Sequence, residues 1–486
     1  MAVKIILLIL FFGVMMGIGV YARKHATDVN GFVLGGRSVG PWLTAFAYGT
    51  SYFSAVVFVG YAGQFGYKYG LASTWIGIGN AVLGSLVAWV VLGRRTRIMS
   101  KHLGSMTMPD FFGKRYDSQS LRIAASVIAF IFLIPYTASV YNGLSYLFGM
   151  AFDVDFRICV VVMAVLTGVY VIIGGYMATA WNDLIQGIIM LFGIVAVIAA
   201  VLSGHGGFMA AVKELAQVPS SVMPGAYASF LGPDPQMIQK FYAIKGEKAV
   251  HTGTIISTLF AIVVSGGCYF LGGFSRISGV KEAVDGTVKY DTIIPTMLSS
   301  LPDILIGIVI VLVLSASMST LSSLVLTSSS TLTLDFIKPL FVKKMNEKQQ
   351  LVWMRVLLAG FILISVVIAL DPPAFIAQLM GISWGALAGA FLAPFLYGLY
   401  WKGVTRAAVW ASFICGVGIT VANMFFRFIA SPINAGAFAM VAGLVIVPVV
   451  SLISPKLKKE TVEDVFHCLE EKVMVEQKLA LPEEEE

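Results

Sequence analysis

An all-α, polytopic transmembrane bundle is the fold predicted by this 486-residue sequence, on three observations. The chain is 58% hydrophobic and only 12% charged, a balance that no water-facing surface can absorb. Its apolar residues fall into runs of about 20, the length of helix that crosses some 30 Å of hydrocarbon. Its basic residues gather in alternate connections between those runs.

Twelve runs are placed in order: Val3–Tyr21, Pro41–Phe65, Leu71–Leu92, Leu121–Phe148, Ile158–Ile173, Leu184–Leu202, Thr252–Phe270, Ile304–Leu332, Val352–Leu370, Phe375–Tyr400, Ala407–Phe426 and Ala437–Ile453. The first lacks a small-residue cleavage site and is long enough to stay in the bilayer, so it is expected to be retained. Residues 1–454 form one membrane domain and 455–486 a polar tail, read as a solvated surface helix ending in the acidic run Glu483 to Glu486.

The net charge of +7 is topological. Arg23, Lys24 and Arg37 share one loop, Arg94 to Arg115 another, Lys338 to Lys348 a third, Lys402 and Arg406 a fourth, and Lys456 to Lys459 open the tail. The positive-inside rule makes these cytoplasmic, with the N-terminus outside and the C-terminus inside. Nucleic acid is not an expected partner, and no obligatory protein partner is evident. The four cysteines show no metal-ligating or pairing pattern, and no nucleophile and base constellation points to an enzyme.

Parity demands one more crossing between Gly204 and the basic stretch at Lys240. The candidate, Val222 to Pro235, holds about fourteen residues and three prolines, which as a helix reach only about 21 Å. It reads as a broken or shortened seventh span.

The chemistry concentrates in Leu314 to Thr333, an apolar run studded with hydroxyls. Positions three and four apart share a helix face, so the Ala316 carbonyl and the Ser319 and Thr320 hydroxyls can converge on a point suited to a small hard cation. Small and hydroxylated residues also let membrane helices pack closely, and serines bond back to their own helix, so these residues alone leave both readings open. Asp183, beside an apolar run, is a functional candidate by default; with Gln186 three residues on, it also has capping-box spacing.

Several segments together resemble the sodium/solute symporter family. They are Leu-Thr-Gly-Val-Tyr-Val-Ile-Ile-Gly-Gly-Tyr-Met-Ala-Thr-Ala-Trp-Asn-Asp-Leu-Ile-Gln at Leu166 to Gln186, Gly-Gly-Arg-Ser at Gly35, Met-Pro-Asp-Phe-Phe-Gly-Lys-Arg-Tyr at Met108, Pro-Gln-Met-Ile-Gln-Lys-Phe-Tyr-Ala at Pro235 and Pro-Phe-Leu-Tyr-Gly-Leu-Tyr-Trp-Lys at Pro394. The resemblance runs in order from Val3 to Ser454. It implies a LeuT-type architecture, two inverted five-helix repeats with broken helices at mid-membrane, an extra helix before them and further helices after. It implies sodium (Na+) held by Thr50 and Phe53 carbonyls with Ala316, Ser319 and Thr320, at a break that Gly49 to Ser54 is composed to tolerate. It also places Asp183 on the sodium exit path.

For a substrate site the resemblance offers Ser54 and Tyr136, with Tyr227 where relatives carry a tryptophan, and Gln378 is a candidate contact that could equally be interhelical glue. Tyr52 stands where sodium/proline symporters have an aspartate. The expected function is sodium-coupled symport of a small polar solute across the cell membrane, with proline or another amino acid as first candidate. The alternative, prompted by the short span at Val222 to Pro235, is a transporter-fold protein that no longer transports.

Overall fold

The computed structural model describes residues 2–22, 28–34, 41–220, 224–229, 252–279, 288–371 and 376–479. Among them every regular element is helical, as expected of backbone that must satisfy its hydrogen bonds within one segment in lipid. The elements are α1 (Ala2–Ala22), α2 (Val29–Leu34), α3 (Pro41–Tyr52), α4 (56–69), α5 (74–102), α6 (Met108–Arg115), α7 (Gln119–Phe152), α8 (Phe156–Gly204), α9 (Phe208–Ala216), α10 (252–272), α11 (Ile293–Leu298), α12 (303–340), α13 (Glu347–Leu370), α14 (Ile376–Tyr400), α15 (Arg406–Phe426), α16 (Pro432–Ile453) and α17 (Lys459–Leu479).

Among the described residues, eleven segments are long and apolar enough to cross a membrane, one of them the 47-residue stretch Val56–His102. At about 1.5 Å per residue that stretch is far too long for one passage. Gly70, at φ 60° and ψ −141°, turns the chain and divides it, where the sequence places a boundary between Phe65 and Leu71. Most of the seventh span read at Val222 to Pro235 lies outside the described residues; 224–229 form a turn and one 3-10 turn at Ala226–Ala228.

The start of the sixth run differs from expectation. α8 is two spans, Phe156–Ile173 and Gly175–Gly204, meeting at Gly175 (φ 57°, ψ −156°), so the second begins nine residues before Leu184. Asn182, Asp183 and Gln186 are buried in the protein, and a polar face turned inward interrupts the hydropathy without interrupting the helix.

The chain forms two compact units. The first comprises 1–88, 136–326 and 358–380. In it α4 and α10 meet backbone to backbone: a side chain at Gly66 would lie 2.2 Å from the Gly272 carbonyl oxygen, and one at Gly272 2.1 Å from that of Ala62. Buried Lys4 pairs with Asp303 at 2.9 Å and donates to the Ala151 carbonyl at 3.1 Å.

The second unit comprises 89–135, 327–357 and 381–486. Its core gathers Phe112 and Tyr116 with Phe391 and Phe413. The tail joins this core. Val462, Val465 and Phe466 of α17 are buried in it, so the helix read as solvated docks its apolar side. The Phe466 ring lies 4.9 Å from the Arg115 guanidinium, which donates to the Gly398 carbonyl at 2.9 Å and the Trp401 carbonyl at 3.2 Å.

Candidate functional site

The site lies in the first unit and begins with a break. α3 stops at Tyr52, and Phe53 and Ser54 are non-helical before the chain resumes at Ala55. Ser54 starts the second half: its hydroxyl accepts from the Val56 N–H at 3.2 Å, and its carbonyl accepts from Val57 at 3.0 Å and Phe58 at 3.1 Å. A serine at this position supplies bonds that an interrupted helix loses. Gly49 allows close approach, since a side chain there would lie 2.9 Å from the Phe260 ring.

α12 faces the break. The Thr320 hydroxyl lies 3.1 Å from each of three carbonyl oxygens, those of Ser51, Phe53 and Ala316. A hydroxyl has one proton to give. Three carbonyl dipoles therefore converge where one donor serves them, leaving acceptor capacity suited to a cation with oxygen ligands. Beside them the Ser319 hydroxyl donates to that of Thr50 at 2.9 Å, which in turn donates to the Phe46 carbonyl at 2.7 Å.

The structure thus brings together Thr50, Phe53, Ala316, Ser319 and Thr320. It does so with one change of atoms: the Thr50 carbonyl accepts from the Phe53 N–H at 3.2 Å, the Thr50 hydroxyl is what meets α12, and the Ser51 carbonyl joins Phe53. Two further α12 residues fasten the break. Ser317 accepts from the Ala55 N–H at 3.0 Å, and the Ser323 and Ser51 hydroxyls share a bond of 2.8 Å. Ser323 follows Thr320 by three positions and could have been read from the helical stripe; Ser317 had only its place in the serine run to signal it.

The second half of α8 forms another wall. A side chain at Gly187 would lie 2.4 Å from the Phe46 ring and 3.0 Å from the Thr50 methyl. Asp183, one turn earlier on the same face, is 2% exposed. Its Oδ1 has no hydrogen-bond partner among the described residues. The capping alternative for Asp183 is corrected here: the residue sits inside the span Gly175–Gly204, not at a helix start.

A sequence model of the sodium:solute symporter family matches residues 32–416. The chain belongs to that family. The sodium/proline symporter of Staphylococcus aureus, in strain JH9 and again in strain NCTC 8325 / PS 47, is 28% identical over 480 residues, covering 94% of this chain and 93% of the relative. Among solved structures, a Na+-coupled sialic acid symporter in a substrate-bound outward-open state superposes with a TM-score of 0.69 at 16% identity, over 94% of this chain and 99% of that one. A nucleobase-cation-symport-1 family transporter in a closed conformation gives 0.52 at 13% identity, over 88% and 96%. The fold is therefore the LeuT-type one. This family member is a multi-pass membrane protein and a secondary transporter, not an enzyme, with sodium as its coupling ion.

The residues read as substrate contacts in this symporter are scattered. Ser54 is at the break. Tyr136 is buried on α7, two turns from Gly143, where a side chain would lie 2.7 Å from the Ala55 Cβ. Gln378 is half-buried in the first turn of α14, which touches Gly60 through Ile376 and accepts from the Tyr61 hydroxyl through the Ala377 carbonyl at 3.4 Å. Tyr227 is not brought to this place. Its ring lies 4.0 Å from the Arg276 guanidinium, and its carbonyl is against Gly70, about 24 Å along the chain from Ser54 at helical rise. There it packs with Leu71, Ala211, Leu215 and Phe274, a satellite cluster that no periodicity in the sequence announces.

Proposed function

We propose that this protein imports a small polar solute, with proline or a related amino acid as first candidate, by alternating access coupled to sodium. It does so in the cell membrane, with its N-terminus outside and its C-terminus in the cytoplasm, the orientation read from the basic loops. The convergence of the Ser51, Phe53 and Ala316 carbonyls on Thr320 carries the reading. A sodium ion there takes neutral oxygens in place of part of its water shell, and Asp183, one turn before Gly187, is the acidic residue along the path by which it leaves.

The amino-acid assignment draws on the likeness to sodium/proline symporters, with Ser54 and Tyr136 as substrate contacts and Gln378 a more distant one. Because the ion site lies across the break, sodium bound there ties α3 to α12 and steadies one arrangement of the bundle. Coupling is reciprocal, so substrate tightens sodium by the same factor that sodium tightens substrate. Each ion moving down about 100 mV releases roughly 2.3 kcal/mol, close to a fiftyfold accumulation before any sodium gradient is added.

The non-transporting alternative draws no support from the comparisons. The test is uptake of labelled proline, beside other amino acids, sugars and carboxylates, into proteoliposomes with a sodium gradient imposed and then collapsed. Gradient-dependent uptake of an amino acid supports the proposal; uptake of a sugar or carboxylate alone overturns the substrate assignment, and uptake indifferent to sodium overturns the coupling.

A further inference from the structure

The second unit contains a polar constellation that the sodium site does not use. Buried Asp335 of α12 accepts from the Arg122 Nε at 2.8 Å and from the Thr107 hydroxyl at 2.5 Å. Arg122 also pairs with Asp110 at 3.1 Å and donates to the Leu334 carbonyl at 3.1 Å, while Lys114 pairs with Asp110 at 2.9 Å. Both buried acids are thereby neutralised. Over them opens a cavity of about 690 Å³, whose walls include Thr107, Lys114, Ser118, Arg122, Lys338 and Lys343.

The charges around this cavity do not balance. Its third acid, Asp117, is held by Arg406 at 2.7 Å. Lys338 and Lys343 have no carboxylate within ion-pair distance among the described residues, and they face a floor that already carries Arg122. Lys338 lies in the last turn of the span Asp303–Leu340, and Ser118 directly precedes the span Gln119–Phe152. The cavity is therefore at the level of the membrane surface, where the first free N–H groups of α7 add partial positive charge.

We propose that this cavity binds a phosphate-bearing anion of glycerol phosphate size. Two sources share that chemistry: the headgroup of an anionic lipid, which basic pockets between transmembrane helices accept, and a soluble phosphate ester. Lys338 and Lys343 supply the unmatched charge, and Thr107 and Ser118 line the same wall with hydroxyls.

The test uses the full-length protein purified in neutral detergent. Retention of phosphatidylglycerol is compared with that of phosphatidylcholine by native mass spectrometry, and glycerol 3-phosphate is titrated by calorimetry. Preference for phosphatidylglycerol identifies the headgroup as the source, and binding of glycerol 3-phosphate alone identifies the soluble ester. In either case K338Q/K343Q weakens binding by about fivefold per lysine, K338R/K343R keeps it, and K344Q/K348Q, the same charge change outside the cavity, leaves it unaltered. Neither ligand binding the wild type overturns the proposal. So does equal weakening in the two glutamine variants, which would mean diffuse attraction by the basic loop.

Discussion

The Ser319 hydroxyl donates to the Thr50 hydroxyl at 2.9 Å, tying the middle of α12 to the last turn of α3 just before that helix breaks. The bond spans 269 positions of sequence, and the three carbonyls that surround Thr320 lie directly beside it.

If these oxygens hold sodium, removing the two hydroxyls removes ligands without removing the fold. Ser319→Ala with Thr320→Ala is expected to raise the sodium concentration for half-maximal uptake by at least tenfold, since each lost polar partner is worth about 1 kcal/mol. The measurement is initial uptake rate against sodium at saturating solute. An unchanged sodium dependence would remove the assignment.

Gly187 sets how closely α8 approaches α3. Gly187→Ala puts a methyl 2.4 Å from the Phe46 ring and 3.0 Å from the Thr50 methyl, and overpacking of this kind costs about 1–3 kcal/mol. The expected outcome is a lower melting temperature together with weaker sodium dependence, because Thr50 is displaced. Melting with and without sodium separates the two effects: stabilisation by sodium should shrink in the variant.

Asp291 provides a pH dependence. It lies outside the spans, between Ile277 and Asp303, and accepts from the Ile376 N–H that opens α14 at 3.1 Å. Burial pushes its carboxyl up to about 6, with the Ile376 bond acting in the opposite direction. An acid raised in the fold holds a proton that the unfolded chain has released. Its contribution is full below about pH 4 and is lost as pH rises through about 6, on the order of 3 kcal/mol in all. Wild-type stability should therefore fall relative to Asp291→Asn between about pH 4 and 6, then run parallel to it. Parallel curves over the whole range would show that Asp291 is not the group responsible.

Phe466 anchors the tail. Phe466→Ala removes a buried ring that stacks on Arg115 and lies 5.6 Å from the Lys402 ammonium, a loss of about 3–5 kcal/mol. The signature is early proteolytic release of the tail with the remaining chain intact, read by limited digestion and mass analysis. Release at the wild-type rate would mean that α17 is held by other contacts.

The hydroxyl face of α12 was legible because a helical period turns sequence spacing into a face: Ala316, Ser319 and Thr320 could be grouped with no partner in view. The break at Phe53 was implied by the family resemblance, and Gly49 with the hydroxyls around it is composed to tolerate it. Asp183 was misplaced to the edge of a span because hydropathy averages over a whole turn, whereas burial depends on which side of the turn a residue occupies. Which atom of Thr50 would meet α12 could not be read, since peptide orientation at an unwound turn is set by the capping of Ser54 and the grip of Ser317 on Ala55. The place of Tyr227 could not be read for a related reason. Aromatic identity says nothing of which cluster claims the ring, and Arg276 with Tyr67 holds it elsewhere.

The contact of Gly66 with Gly272 leaves no side chain between α4 and α10 to slide or repack. A second glycine pair repeats it farther along, where a side chain at Gly77 of α5 would lie 2.7 Å from the Gly266 Cα. α10 is thereby seated on the main chain of two helices, α4 and α5, on either side of the turn at Gly70, so tilting it drives its main chain into theirs. α4 cannot lean without carrying α10, and the joint that remains is the pair of unwound residues at Phe53 and Ser54, at the very point where the ion's oxygens converge.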